Sequence, residues 1–181
     1  LSVAVNVSAV QVHSPTFAQT VHEVLISTGL SPARLEVEIT ETALIRDMVR
    51  AVTTLRQIRA LGVRIAMDDF GTGYSSLANL RAFPFSKIKV DQSFIRAVDN
   101  NGQSAAIVRA VLGLGSGLNV PVVAEGVERI EELDFLKSET CQTAQGYLLS
   151  RPEDIHTFAA LTEGRTRQLD GPTPLPQALA S

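Results

Sequence analysis

Six short runs of strand character, VAVNVS (3–8), RLEVEIT (34–40), VRIAM (63–67), SKIKV (86–90), VPVVAE (120–125) and TAQGYLL (143–149), are separated by segments of helical character. That alternation leaves few folds open. Parallel neighbours need a crossover of a dozen or more residues, usually a helix, so the expected class is α/β with about six strand–helix units on a parallel sheet. Ser14 and Pro15 supply a cap and a first-turn proline for a helix ending at Gly29. From Asp47, Val49, Val52, Leu55, Ile58 and Leu61 recur at helical spacing up to Gly62. Helices are also expected over residues 104–118 and 128–138, with a short one from Glu153. Residues 164–181 carry three prolines and little periodicity, so the expected organisation is a domain over 1–163 and a loose tail over 164–181.

Polar groups stand where these apolar runs stop. Asn6, Glu38 with Glu41, Asp68 with Asp69, Lys89 with Asp91, Glu125 with Glu128, and Gln145 each lie at or near a strand's carboxyl end. In a parallel sheet those ends share one rim, where α/β enzymes build their sites. Singly, each has a plainer reading. Glu38 or Glu41 can cap a helix, Asn6 can satisfy a turn, and Asp91 can be the ion-pair partner of Lys89. It is the coincidence of all six strand ends that points to chemistry. Lys89 needs a reason in any case, because an ammonium inside an apolar strand loses solvation, and a carboxylate cluster would supply one.

Asp68 and Asp69 sharpen the point. Adjacent strand residues face opposite ways, so both reach one site only where the strand breaks up. Close carboxylates also repel, and a divalent cation removes the conflict. Asn, Glu and Asp form an all-oxygen donor set suited to Mg²⁺ or Mn²⁺ rather than zinc. His13, His22 and His156 have no partner at ligand spacing and read as ordinary surface or boundary residues. The glycines at 71 and 73 make the following loop a plausible mobile element. Sixteen basic against nineteen acidic residues, net −3, advertise neither a nucleic-acid polymer nor a membrane surface. No apolar run approaches the roughly 18 residues of a membrane span, and a lone Cys141 makes no internal disulfide framework. The sequence opens at Leu1 inside a strand-like run, as expected of a piece of a longer protein.

In order, VAVNVS, LEVEITET, IAMDDFGTGYSSL, FPFSKIKVDQSFI, VVAEGVE and QGYLLSRP resemble the successive motifs of the EAL domain family, the cyclic di-GMP phosphodiesterases of bacterial signalling, from Leu1 to about Leu161. The resemblance implies a TIM-like (β/α) barrel, incomplete here, and hydrolysis of cyclic di-GMP to linear di-GMP with two Mg²⁺ or Mn²⁺ ions. It implies that Asn6, Glu38 and Asp68 hold one ion and Asp68, Asp69 and Glu125 the other. Lys89 would then orient or deprotonate the attacking water, Gln145 would contact the water and phosphate region, and Glu41 would anchor the glycine loop. Asp91 and Glu128 are placed with the substrate- or loop-anchoring residues. It further implies a homodimer linked to the site through that loop, upstream sensory or GGDEF-type domains, and a cytoplasmic location for a domain whose parent can be membrane-anchored.

The Glu-Ala-Leu motif and its arginine precede the NVS segment in the family and are absent from this sequence, so the first strands of an eight-stranded barrel and one metal ligand are expected upstream. Thr140 and Gln142 stand where the family usually has glycine and aspartate, a change expected to touch a turn rather than the chemistry. Two other readings remain at this stage. One is a catalytically inactive EAL domain acting as a cyclic di-GMP receptor or protein-interaction module. The other is a metal-dependent lyase of the enolase kind, against which the adjacent aspartates and glycine-hydroxyl loop favour phosphoryl chemistry.

Overall fold

The structure, a computed structural model, describes residues 2–45, 47–73 and 82–152. Six strands form one parallel sheet in sequence order: β1 (Val3–Asn6), β2 (Leu35–Thr40), β3 (Arg64–Phe70), β4 (Lys87–Val90), β5 (Val122–Ala124) and β6 (Thr143–Ala144). The helices are α1 (Ala9–Val12), α2 (Phe17–Thr28), α3 (Glu41–Ile45), α4 (Met48–Ala60), α5 (Gln92–Ile95), α6 (Gly102–Leu118) and α7 (Ile130–Ser138). The sheet is an arc of a (β/α) barrel: the alternation predicts its parallel strands, and the family resemblance the barrel. β1 and β6 are its edges among the described residues, and Val3 and Val5 of β1 are exposed.

Strand periodicity divides the sheet into two chemically distinct faces. Val37 and Ile39, Ile65 and Met67, Ile88 and Val90, and Val122 and Ala124 pack in the core with Val21 and Leu25 of α2, Leu55 and Ile58 of α4, Val108 and Val111 of α6 and Leu136 of α7. The alternate positions, Glu36 and Glu38, Arg64 and Asp68, Lys87 and Lys89, carry charge on the other face. There Lys87 Nζ donates to Glu36 Oε1 at 2.6 Å, and Arg64 Nε lies 3.8 Å from Glu36 Oε2.

Local structure departs from expectation at several points. Ser8 and Gln11 form a capping box that starts α1, and Glu41 opens α3; neither short helix was expected. The helix after Pro15 begins at Phe17, and Gly29 ends it with φ 66°. In α4 the buried stripe is Ala51, Thr54, Leu55 and Ile58, while Val49 is 80% exposed. Successive steps of three fall short of a full turn, so a run of i+3 positions walks off the face that i+3 and i+4 steps together maintain. β3 runs on to Phe70. β6, expected over residues 143–149, is paired only at Thr143–Ala144. Val127 N donates to the Gln145 carbonyl at 3.1 Å and Leu148 N to the Val127 carbonyl at 3.0 Å, which turns the chain out of the sheet. Gly146 packs there so closely that a Cβ would lie 2.1 Å from the Val127 oxygen, a contact no other residue permits. The expected helix from Glu153, the tail 164–181 with its boundary, His156 and loop residues 74–81 lie outside the described residues.

Candidate active site

Lys89 is the centre of the rim. It is 6% exposed, and Nζ forms ion pairs with Glu125 Oε1 at 2.8 Å, Glu38 Oε2 at 2.9 Å and Asp68 Oδ1 at 3.2 Å. Burial alone would lower its pKa, but the hydrogen bonds to Glu125 and Glu38 outweigh burial and hold it above the ordinary lysine range. Three strands thus deliver carboxylates to one ammonium on a fourth. The Lys89–Asp91 ion pair suggested by strand alternation is replaced by these three contacts. The strand ends at Val90, and Asp91 has left the pleat to cap α5, accepting from Ser93 N at 2.9 Å.

The backbone explains how two adjacent aspartates serve one place. The β3–β4 register shifts between Met67 and Phe70, and Asp69 takes φ 52°, a left-handed conformation uncommon outside glycine. Asp69 N donates to Asp68 Oδ1 at 3.1 Å. With alternation broken there, carboxylate oxygens of Asp68, Asp69 and Glu125 all come within 4.8 Å of one another. Burial raises the Asp69 pKa, and the charges of Asp68 and Asp91 and a hydrogen bond with Asp91 raise it further. Glu125 is pushed up to about 7 by burial, with Asp68 adding to the rise and Lys89 opposing it. Crowded carboxylate oxygens, with Asp69 and Glu125 raised, fit a divalent cation, which would relieve both the repulsion and the desolvation.

The remaining expected residues divide. Glu41, buried at the start of α3, accepts the backbone N–H groups of Gly71 at 3.3 Å and Gly73 at 3.2 Å. A Cβ on Gly73 would lie 2.7 Å from the Glu41 carboxyl carbon. Asn6 is level with Glu38 in the β1–β2 register and exposed at the strand end. Glu38 lies outside the Asp68–Asp69–Glu125 group and reaches it through Lys89. Glu128 is exposed and paired with Arg96 Nη2 at 2.6 Å. Gln145 lines a cleft of ≈ 280 Å³ together with Asp69, Asp91, Glu125 and Glu128. A larger groove of ≈ 810 Å³ lies at the opposite end, by the starts of β5 and β6 and away from these carboxylates.

Sequence reasoning missed Gln92, Arg96 and Tyr147, which share that cleft, and the Glu36–Lys87 pair. The pair had a signal: Glu-x-Glu in β2 and Lys-x-Lys in β4 put like residues on one face of each strand. Of the histidines, His13 bridges the Ala9 and Asp47 carbonyls at 2.6 and 3.2 Å and His22 is exposed.

The model of the EAL domain matches residues 1–152. The chain belongs to the EAL domain family. An uncharacterized signaling protein of Caulobacter vibrioides is 56% identical over 162 residues, 90% of this chain and 20% of that protein. The bifunctional diguanylate cyclase/cyclic di-GMP phosphodiesterase MucR of Pseudomonas aeruginosa is 42% identical over 151 residues, 83% of this chain and 22% of its own length. The solved MucR phosphodiesterase in complex with cyclic di-GMP superposes with a TM-score of 0.83 at 40% identity, covering 87% of this chain and 64% of that one. Klebsiella pneumoniae BlrP1, solved with cyclic di-GMP and manganese, gives a TM-score of 0.77 at 37% identity over 83% of this chain and 39% of that one. The chain therefore shares the TIM-barrel architecture of the family, and it spans about a fifth of the length of these two curated relatives. No described helix is long and apolar enough to cross a membrane.

Proposed function

We propose that this EAL chain carries the catalytic residues of a cyclic di-GMP phosphodiesterase that opens one phosphodiester bond to give linear di-GMP, using two divalent cations, Mg²⁺ or Mn²⁺. The observation that carries the reading is the convergence of Glu38, Asp68 and Glu125 on Lys89 beside the close Asp68–Asp69–Glu125 group. Asp68, Asp69 and Glu125 would hold one ion, and Asn6, Glu38 and Asp68 the other. A metal pair supplies charge for both the attacking and the leaving oxygen of an in-line displacement.

The chain's own groups do the positioning. Lys89, held charged by its carboxylates in the metal-free chain, would orient the attacking water or take its proton once those carboxylates turn to the cations. Gln145, on the cleft wall, contacts the water and phosphate region. Glu41 keeps Gly71 and Gly73 in place, so the loop that leaves β3 cannot move without breaking its two amide contacts. Asp91 and the Glu128–Arg96 pair line the same cleft and would anchor substrate or loop there.

Homodimerisation on the side of the glycine loop, further sensory or GGDEF-type domains in the parent protein and a cytoplasmic setting belong to the same reading, and the length of the relatives supports further domains. Turnover of cyclic di-GMP by the full-length protein with Mn²⁺, and again with chelator, tests it. Metal-dependent formation of the linear dinucleotide is expected. Tight binding of cyclic di-GMP with no turnover would instead make the protein a receptor.

A further inference from the structure

The rim beyond Glu125 carries a network that hydrolysis does not use. Glu132 is 1% exposed; Oε2 accepts the backbone N–H of Glu128 at 2.8 Å and of Arg129 at 3.1 Å, and Oε1 accepts from Arg129 Nε at 2.8 Å. The far side of the Arg129 guanidinium grips Asp99, with Nη1 donating to Oδ2 at 2.9 Å and Nη2 to Oδ1 at 2.5 Å. Nη2 also donates to the Arg96 carbonyl at 3.3 Å, and Arg96 Nη2 returns to Glu128 Oε1 at 2.6 Å.

A helix cap explains only half of this. The Glu132 carboxylate caps the start of α7 by accepting the backbone N–H groups of Glu128 and Arg129. Asp99 and the Arg96 carbonyl are not needed for a cap and come from 30 or more residues upstream, in the segment after β4. The Arg129 fork therefore ties the segment after β5 to the segment after β4. Those two segments present Glu125 on one side and Asp91 on the other of a cleft that Asp69 also lines. Gly126, at φ 68°, backs onto the same segment: a Cβ there would lie 2.4 Å from Cβ of Gln92.

We propose that Asp99, Arg129 and Glu132 form a clasp that positions Glu125 against Asp69 and thereby sets the affinity of the Asp68–Asp69–Glu125 group for a divalent cation. The proposal rests on the metal-binding reading of that group. Arg129 is a positioning residue, acting through the loop and touching no reacting atom. Its fork geometry is what matters, because a lysine keeps the charge but cannot hold Asp99 and Glu132 together.

The test uses the 181-residue chain with Arg129→Gln, Arg129→Lys and Asp99→Asn. Two readouts are taken: amide hydrogen exchange at Glu128 and Arg129 in metal-free protein, and Mn²⁺ binding followed by the paramagnetic resonance of free Mn²⁺. All three variants are expected to exchange faster at those amides and to bind Mn²⁺ about tenfold more weakly, the lower end of what groups orienting metal ligands produce. Asp99→Asn, a change of charge without change of size, carries the test if Arg129→Gln fails to fold. Wild-type Mn²⁺ affinity in the variants, with only a lower melting temperature, would overturn the proposal and leave a helix cap. Full recovery of affinity in Arg129→Lys would overturn it too, by making charge rather than the fork responsible. Failure of the wild-type chain itself to bind Mn²⁺ would be separately visible and would remove the metal reading together with the clasp's role in it.

Discussion

Replacing Lys89 by methionine separates stability, metal binding and turnover. The side chain it removes is 6% exposed and lies 2.8, 2.9 and 3.2 Å from three carboxylates. Unit charges about 4 Å apart attract by roughly 4 kcal/mol at an effective dielectric of about 20, but most of that offsets the desolvation of the ions involved. What remains is the cost of leaving buried charges unpaired, about 3–5 kcal/mol when one partner is removed. The three carboxylates retain some access to water, so Lys89→Met in metal-free protein is expected near the lower bound, about 3 kcal/mol less stable. Urea melts in the presence of chelator measure it. Adding Mn²⁺ reverses the ranking of affinities, because an ammonium no longer competes with the cation for Glu38, Asp68 and Glu125. The variant should bind Mn²⁺ more tightly than wild type, and Mn²⁺ at a hundred times Kd should return about 2.7 kcal/mol of stability. Turnover nevertheless falls about 10²-fold or more, since the water has lost its guide. Asp91→Ala, the control for a simple Lys89–Asp91 pair, should cost only the cap, about 1 kcal/mol. A metal-free stability loss for Lys89→Met below about 1 kcal/mol, or turnover within a few fold of wild type, refutes this account of the charge balance.

Asp68→Asn in a complete domain should lose most cyclic di-GMP hydrolysis while the melting temperature stays nearly unchanged, with Asp69→Asn similar or milder; near-normal turnover in Asp68→Asn would remove it as the shared ligand. With Glu125 pushed up to about 7 from an ordinary value of 4.5, metal-free protein retains a proton there that the unfolded chain releases. That contribution is full below the unfolded value and is lost as pH rises through about 7, so metal-free stability should decline across that window. Mn²⁺ must displace the same proton, so its affinity should fall by up to about tenfold per pH unit below 7, and a pH-independent calorimetric titration would contradict the assignment. Thr140 is β-branched yet sits at φ 58°, a conformation that favours glycine. Thr140→Gly trades roughly 1–2 kcal/mol of steric strain for about 0.5–1 kcal/mol of chain entropy, so a gain of up to about 1 kcal/mol is expected in a urea melt with no change in Mn²⁺ binding.

Much of this was legible in the sequence because it rests on local rules. Period-two alternation in LEVEIT and KIKV puts Glu38 and Lys89 on one face whatever else the chain does, and parallel pairing brings the strand ends to one rim. Charge in an apolar strand marked Lys89, and glycines marked where α2 and α4 end. Only the tertiary structure decided the rest. Whether Asp68 and Asp69 can share a site depends on a register shift against β4 and a left-handed Asp69, neither of which any residue type dictates. That Lys89 turns to Glu38, Asp68 and Glu125 rather than Asp91 follows from Asp91 leaving the pleat to cap α5. β6 stops after two residues because Gly146 meets the backbone of Val127, far away in the chain. The Arg129 clasp needs Asp99, 30 residues upstream. Periodicity records which face a side chain takes, whereas contacts between loops are selected by distance and hydrogen-bond geometry that exist only once the sheet has formed.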